Sequence, residues 1–122
     1  MIDNFDDDEA ASHVYFISPI GGGPVKIGYT LTNRRRNIGP RCRLQQMMVW
    51  SPQPLELLAT MPGARLCEAF FHHRFRRYRM HGEWFRSEPD VIEAVTIISK
   101  TGKFPGAPND PPPVFAPTEN AP

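Results

Sequence analysis

The chain is poor in cysteine, in long apolar runs, and in acidic residues through its middle. Two cysteines in 122 residues, Cys42 and Cys67, are too few for a disulfide framework or a four-thiolate zinc site. No apolar run approaches the roughly 18–20 residues that a bilayer span needs, so no membrane association is expected. The start, Met1-Ile2-Asp3-Asn4-Phe5-Asp6-Asp7-Asp8-Glu9, is acidic where a secretory signal carries positive charge. A reducing, cytoplasmic compartment is the expectation that follows. The length suits one domain with a small core.

What is present is positive charge, sorted by position. Residues 1–12 hold five acids and no Lys or Arg. Residues 13–86 hold Lys26 and all eleven arginines against only Glu56, Glu68 and Glu83, for +9. Residues 87–122 return to −3, with Lys100 and Lys103 against five acids, and the whole chain is +1. The planar fork of donors on arginine meets phosphate oxygens bidentately, so a small arginine-rich body points to nucleic acid or another polyanion. A solvated basic surface is the blander alternative.

Composition divides the chain into an acidic arm over 1–12 that is expected to be disordered, a folded body over 13–103 and a Pro-rich tail over 104–122. The tail carries seven of the fourteen prolines and is expected to be extended or disordered. In the body, His13–Ser18 and Val25–Thr30 read as strands of a hairpin across Gly21-Gly22-Gly23-Pro24. Residues 31–40 read as a basic loop. Leu44, Met47 and Met48 stand at helical spacing within Arg41–Val49, and Leu55–Met61 reads as a third strand. A long helix is expected over Ala64–Arg79, with Cys67, Phe71, Phe75 and Tyr78 inward and Glu68, His72 and Arg76 as a polar stripe. A last helix starts near Ser87, the expected N-cap, with Pro89 in its first turn. The expected fold is a small α/β (α+β) sandwich, a three-stranded sheet flanked by helices in the order β-β-α-β-α-α.

A basic domain that cuts a phosphodiester needs a metal ligand, a route to hydroxide and a cation for the developing charge. Of the three acids in the body, Glu56 alternates outward on a strand and Glu83 sits in an aromatic turn. Glu68 has His72 one turn away and arginines beyond, which suits Mg²⁺ shared with a phosphate or, more plainly, a surface pair on the helix. Tyr15 and Lys26 lie on adjacent strands, where the ammonium would favour the phenolate and lower a pKa near ~10. The bland reading of Tyr15 is a half-buried strand aromatic. The four histidines and Cys67 match no structural zinc spacing. Trp50 and Trp84 read as core or rim aromatics rather than as base-stacking platforms.

Several of these pieces together resemble the GIY-YIG nuclease superfamily. Val14-Tyr15 is similar to the end of its first motif and Lys26-Ile27-Gly28 to its second, ten residues on. A phage and bacterial branch is closer, with a threonine after K-I-G (Thr30), an Arg-Leu helix start (Arg43-Leu44) and a Pro-led L-E-L-L strand (Pro52–Leu58). Glu68 followed by His72, and the terminal Gly82-Glu83-Trp84-Phe85, complete the match over about residues 13–95. The resemblance implies an endonuclease in which Tyr15 helps to deprotonate water, Lys26 assists it, Arg43 stabilises the phosphate and Glu68 alone holds Mg²⁺ or Mn²⁺. His72 would be a neighbour of the site, and Gly28 would allow close packing. Arg36 is the rival of Arg43. Arg34, Arg35, Arg36, Arg41 and Arg76 are the phosphate-contact candidates.

The expected activity is metal-dependent hydrolysis of DNA, nicking as a monomer, with RNA as the alternative substrate. Target specificity would come from a homodimer or a partner protein. The rival from another class is a non-catalytic nucleic-acid-binding module.

Overall fold

A computed structural model describes residues 11–113. Strands β1 (Ala11–Pro19) and β2 (Val25–Thr32) form the opening hairpin, helix α1 spans Pro40–Trp50, and β3 spans Leu55–Pro62. Helix α2 (Arg65–Arg74) runs into a 3-10 turn at Arg76–Tyr78, followed by β4 (Arg79–His81), β5 (Trp84–Phe85) and helix α3 (Pro89–Thr101).

The expected three-stranded sheet in the order β-β-α-β-α-α is therefore corrected. Among the described residues the sheet has five strands in the order β3-β1-β2-β5-β4, all pairs antiparallel. The two additional strands are three and two residues long, too short for a period-two pattern to show. Gly82, with φ +57°, makes the turn between them in a left-handed conformation that a side chain disfavours. Arg79 Nε clasps the same turn by donating to the Gly82 carbonyl at 2.7 Å.

Alternation along β1 sends Val14 and Phe16 to one face of the sheet and Tyr15 and Ile17 to the other. The first face meets α2 through Cys67 and Phe71, and α3 through Val91, Ala94, Val95 and Ile98, to make the main core. The second face is covered by α1, whose Leu44 and Met47 pack on Tyr15, Ile17 and Leu55. A bulge between Phe16 and Ile17 shifts the β1–β3 register.

Helix α2 ends earlier than the expected Arg79. Phe75 leaves helical dihedrals (φ −106°, ψ 18°) while staying buried. The His73 carbonyl, which a longer helix would offer to the amide four residues on, instead accepts from the Arg76 guanidinium at 2.7 Å. The N-cap of α3 is Glu88 rather than Ser87, with Pro89 opening the helix.

Of the expected acidic arm, residues 1–10 lie outside the described residues, and Ala11 and Ser12 open β1. Of the Pro-rich tail, residues 104–113 are described and contain neither helix nor strand. This coil packs on the domain. Phe104 is buried against Phe70 and Phe71. Asp110 accepts from the Ala64 amide at 2.7 Å, Leu66 at 2.8 Å and Cys67 at 3.2 Å. The carboxylate thereby caps α2 from more than forty residues away and meets its positive dipole end. Burial alone would raise the pKa of Asp110, but these amides outweigh it and hold the carboxyl below its ordinary value.

Candidate active site

The site begins where β5 stops. Strand β5 pairs with only Val25 and Lys26 of β2, and the Glu83 carbonyl accepts from the Ile27 amide at 2.9 Å. Beyond that point the polar stripe of α2 serves the edge of β2. His72 Nε2 donates to the Ile27 carbonyl at 2.8 Å, so that nitrogen carries its proton, and the Tyr29 amide donates to Glu68. The His72 ring also meets Phe85 edge-on at 5.0 Å. A two-residue strand thus leaves backbone groups that place Glu68 and His72.

On the α1 side of the sheet, Lys26 Nζ lies 3.0 Å from Glu83 Oε1 and 6.0 Å from the centre of the Trp84 ring. Glu83 also hydrogen-bonds Glu68. The Glu68 carboxyl is pushed up to about 7, first by burial and then by the charge and hydrogen bond of Glu83, against the pull of Lys26 and the Tyr29 amide. Two carboxylates sharing a hydrogen bond hold a proton between them. Tyr15, opposite Gly28 in the hairpin, is pushed up to about 12, chiefly by burial. Arg43 pulls it down, while Glu83 and Glu68 raise it further. The expectation that Lys26 would favour a phenolate is therefore corrected: Lys26 is paired with Glu83, and the Tyr15 hydroxyl keeps its proton at neutral pH.

The structure brings together Tyr15, Lys26, Arg43, Glu68 and Glu83, with His72 supporting the β2 edge. Arg43 reaches Tyr15 electrostatically from the first turn of α1. Arg36 instead sits in the turn closed by the Asn33–Ile38 bridge, its amide on the Asn33 carbonyl at 3.2 Å. Arg34 and Arg35 share that loop, and Arg41 lies exposed on α1. Arg76 stands apart at the far end of α2, tied to His73.

Glu83 is the member of the site that sequence reasoning set aside. Its position depends on β5 pairing with β2, which no periodicity reveals. The available signal was its rarity, as one of three acids in the basic body.

Gly28 is the keystone of this packing. A Cβ there would stand 2.6 Å from Tyr15 Oη, 2.7 Å from Tyr15 Cζ and 2.9 Å from Glu83 Oε1. Tyr15 is held by the small core and cannot retreat cheaply. Gly28→Ala is expected to cost about 1–3 kcal/mol through overpacking and to separate Tyr15 from Glu83. Thermal melting together with the crystal structure of the variant checks this, and an unshifted Tyr15 would refute it.

Among the described residues no helix is long and apolar enough to cross a membrane. Cys42 and Cys67 are both free thiols. No match was found among curated proteins or among solved structures. One family model matches, the T5orf172 domain, over residues 12–99. This corrects the resemblance to the GIY-YIG superfamily, which returned no match. The pieces behind that resemblance are only two to seven residues long, and such short identities do not separate one family from another. The match spans both sheet faces and every residue of the candidate site, and on it the chain belongs to the T5orf172 domain family, a nuclease-like type of domain consistent with nucleic-acid interaction.

Proposed function

We propose that this domain hydrolyses phosphodiester bonds in DNA with one divalent cation, Mg²⁺ or Mn²⁺, held at Glu68. The observation that carries the reading is the Glu68–Glu83 carboxylate pair at the rim of a basic surface, with Lys26, Arg43 and Tyr15 around it. A like-charged pair that retains a proton is a donor set a hard cation would discharge, and Mg²⁺ is commonly bound by one or two carboxylates while keeping several waters. Among the described residues no three His, Cys, Asp or Glu side chains converge, so a zinc cage does not fit. When bound, such an ion supplies a Lewis acid for the phosphoryl oxygen and acidifies water.

The protein groups supply the rest. Arg43 offers a bidentate fork to the phosphoryl oxygens where charge develops. Lys26 adds a positive charge and pairs with Glu83 beside Glu68. Tyr15, protonated at neutral pH, donates its hydrogen to orient a water or a phosphate oxygen. His72 positions β2 rather than moving protons, because its Nε2–H is committed to the Ile27 carbonyl.

Supercoiled plasmid incubated with the full chain and Mg²⁺ or Mn²⁺ is expected to become nicked, and EDTA to abolish the product. Matched DNA and RNA oligonucleotides then identify the preferred backbone. A binding module without turnover is the second reading, favoured by the high proton affinity of Tyr15 and the pairing of Lys26. Intact plasmid in both metals, with salt-sensitive binding retained, would establish it instead.

A further inference from the structure

Helix α1 buries none of its residues fully, and its last turn leaves Val49 75% and Trp50 86% exposed. Ile20 of the β1–β2 turn is 60% exposed, and its amide donates to the Pro54 carbonyl, four residues past Trp50. A large aromatic ring standing in water, next to an exposed Val49 in the same helical turn, marks a surface that meets something.

Charge identifies what it meets. No Asp or Glu occurs between Glu9 and Glu56, while Lys26, Arg34, Arg35, Arg36, Arg41 and Arg43 all fall in that interval. Arg43 and Trp50 are seven residues apart on α1, which puts them on the same side of the helix. Their separation along the axis is about 10 Å, the span of roughly three stacked nucleotides. A strand whose phosphate lies at Arg43 has a nucleobase within reach of the Trp50 ring. Bases inside a duplex have their faces covered by their neighbours, whereas an unpaired base offers its face to an aromatic platform.

We infer that Trp50 is a stacking platform for an unpaired nucleobase, so that the substrate class of this site is nucleic acid with a single-stranded element, such as a flap, gap or branch. The inference rests on the nucleic-acid reading of the site and deepens it.

The test measures anisotropy of a labelled single strand, the blunt duplex of the same sequence and the matching RNA strand, all in EDTA so that cleavage plays no part. Trp50→Ala is expected to weaken single-strand binding about tenfold, while duplex binding changes less than about twofold and Trp50→Phe keeps most of the affinity. The tighter of the two single strands identifies the sugar. An equal loss on strand and duplex, or no loss on either, overturns the inference. So does a wild-type dimer that becomes a monomer on Trp50→Ala with affinity unchanged, since the patch then covers a second copy. Thermal melting of both variants confirms that they fold. The nuclease reading fails separately: a chain that stacks strands through Trp50 and leaves plasmid intact retains the platform and loses the hydrolase.

Discussion

Glu68→Gln is expected to reduce metal-dependent plasmid nicking by at least about 10³-fold while leaving the protein folded. The variant keeps the size of the side chain and its hydrogen bond to the β2 edge, and removes only the charge. The same substitution should change how stability depends on pH, and the sign follows from Glu68 itself. Its ordinary pKa is 4.5 and its folded value is about 7. Between those values the folded state binds more protons than the unfolded chain, so stability falls as pH rises. The favourable contribution is complete below about 4.5 and lost as pH passes through about 7. Wild-type protein should therefore melt lower at pH 8 than at pH 5 in EDTA, with Glu68→Gln showing a smaller drop. Mg²⁺ should raise the wild-type melting temperature more at pH 8 than at pH 5, and should raise that of Glu68→Gln little at either. A Glu68→Gln variant that nicks plasmid normally would remove Glu68 from the site.

Phe71→Ala is expected to lower the free energy of unfolding by about 3–5 kcal/mol. Domains of this size have only about 5–15 kcal/mol in total, so the variant should sit close to unfolding at 37 °C. The ring is fully buried among Phe16 at 5.2 Å, Phe70 at 5.0 Å, Phe104 at 5.6 Å and Phe75 at 6.3 Å. The ring sits in the close-packed apolar core, so little collapse can refill the space that truncation would open. Phe71 also lies between Glu68 and His72 in sequence, on the helix that carries both. Urea unfolding of Phe71→Ala beside Leu66→Ala, an exposed position on the same helix, separates loss of packing from loss of helix propensity. Equal midpoints for the two variants would show that the aromatic cluster does not carry the core.

Much of the local structure was legible because the signals are long. The β-branched and aromatic run within His13–Ser18 makes β1 readable, and Cys67, Phe71 and Phe75 at helical spacing make α2 readable. Tyr15, Lys26 and Glu68 stand out as chemically capable side chains on these elements. What stayed hidden is what tertiary pairing decides. Strand β5 is two residues long and exists because β2 offers it an edge, so neither the five-stranded sheet nor the placement of Glu83 could be read in advance. The protonated state of Tyr15 follows from burial beneath α1, whereas proximity to Lys26 suggested the reverse. Trp50 belongs to a helix whose spacing implies a buried stripe, yet α1 is a thin cover over a small core and leaves its last turn in water. Asp110 caps α2 across a gap in sequence that no capping motif spans.

That last contact makes the Pro-rich segment a mechanical part of the domain. The family match stops at residue 99, but the chain is fastened again at Phe104 and at Asp110, whose carboxylate grips the amide immediately before Glu68. A partner or fusion pulling on the chain beyond Pro113 would transmit its load through Asp110 to the first turn of α2. The element that receives that load is the one that holds the Glu68–Glu83 pair in register with β2.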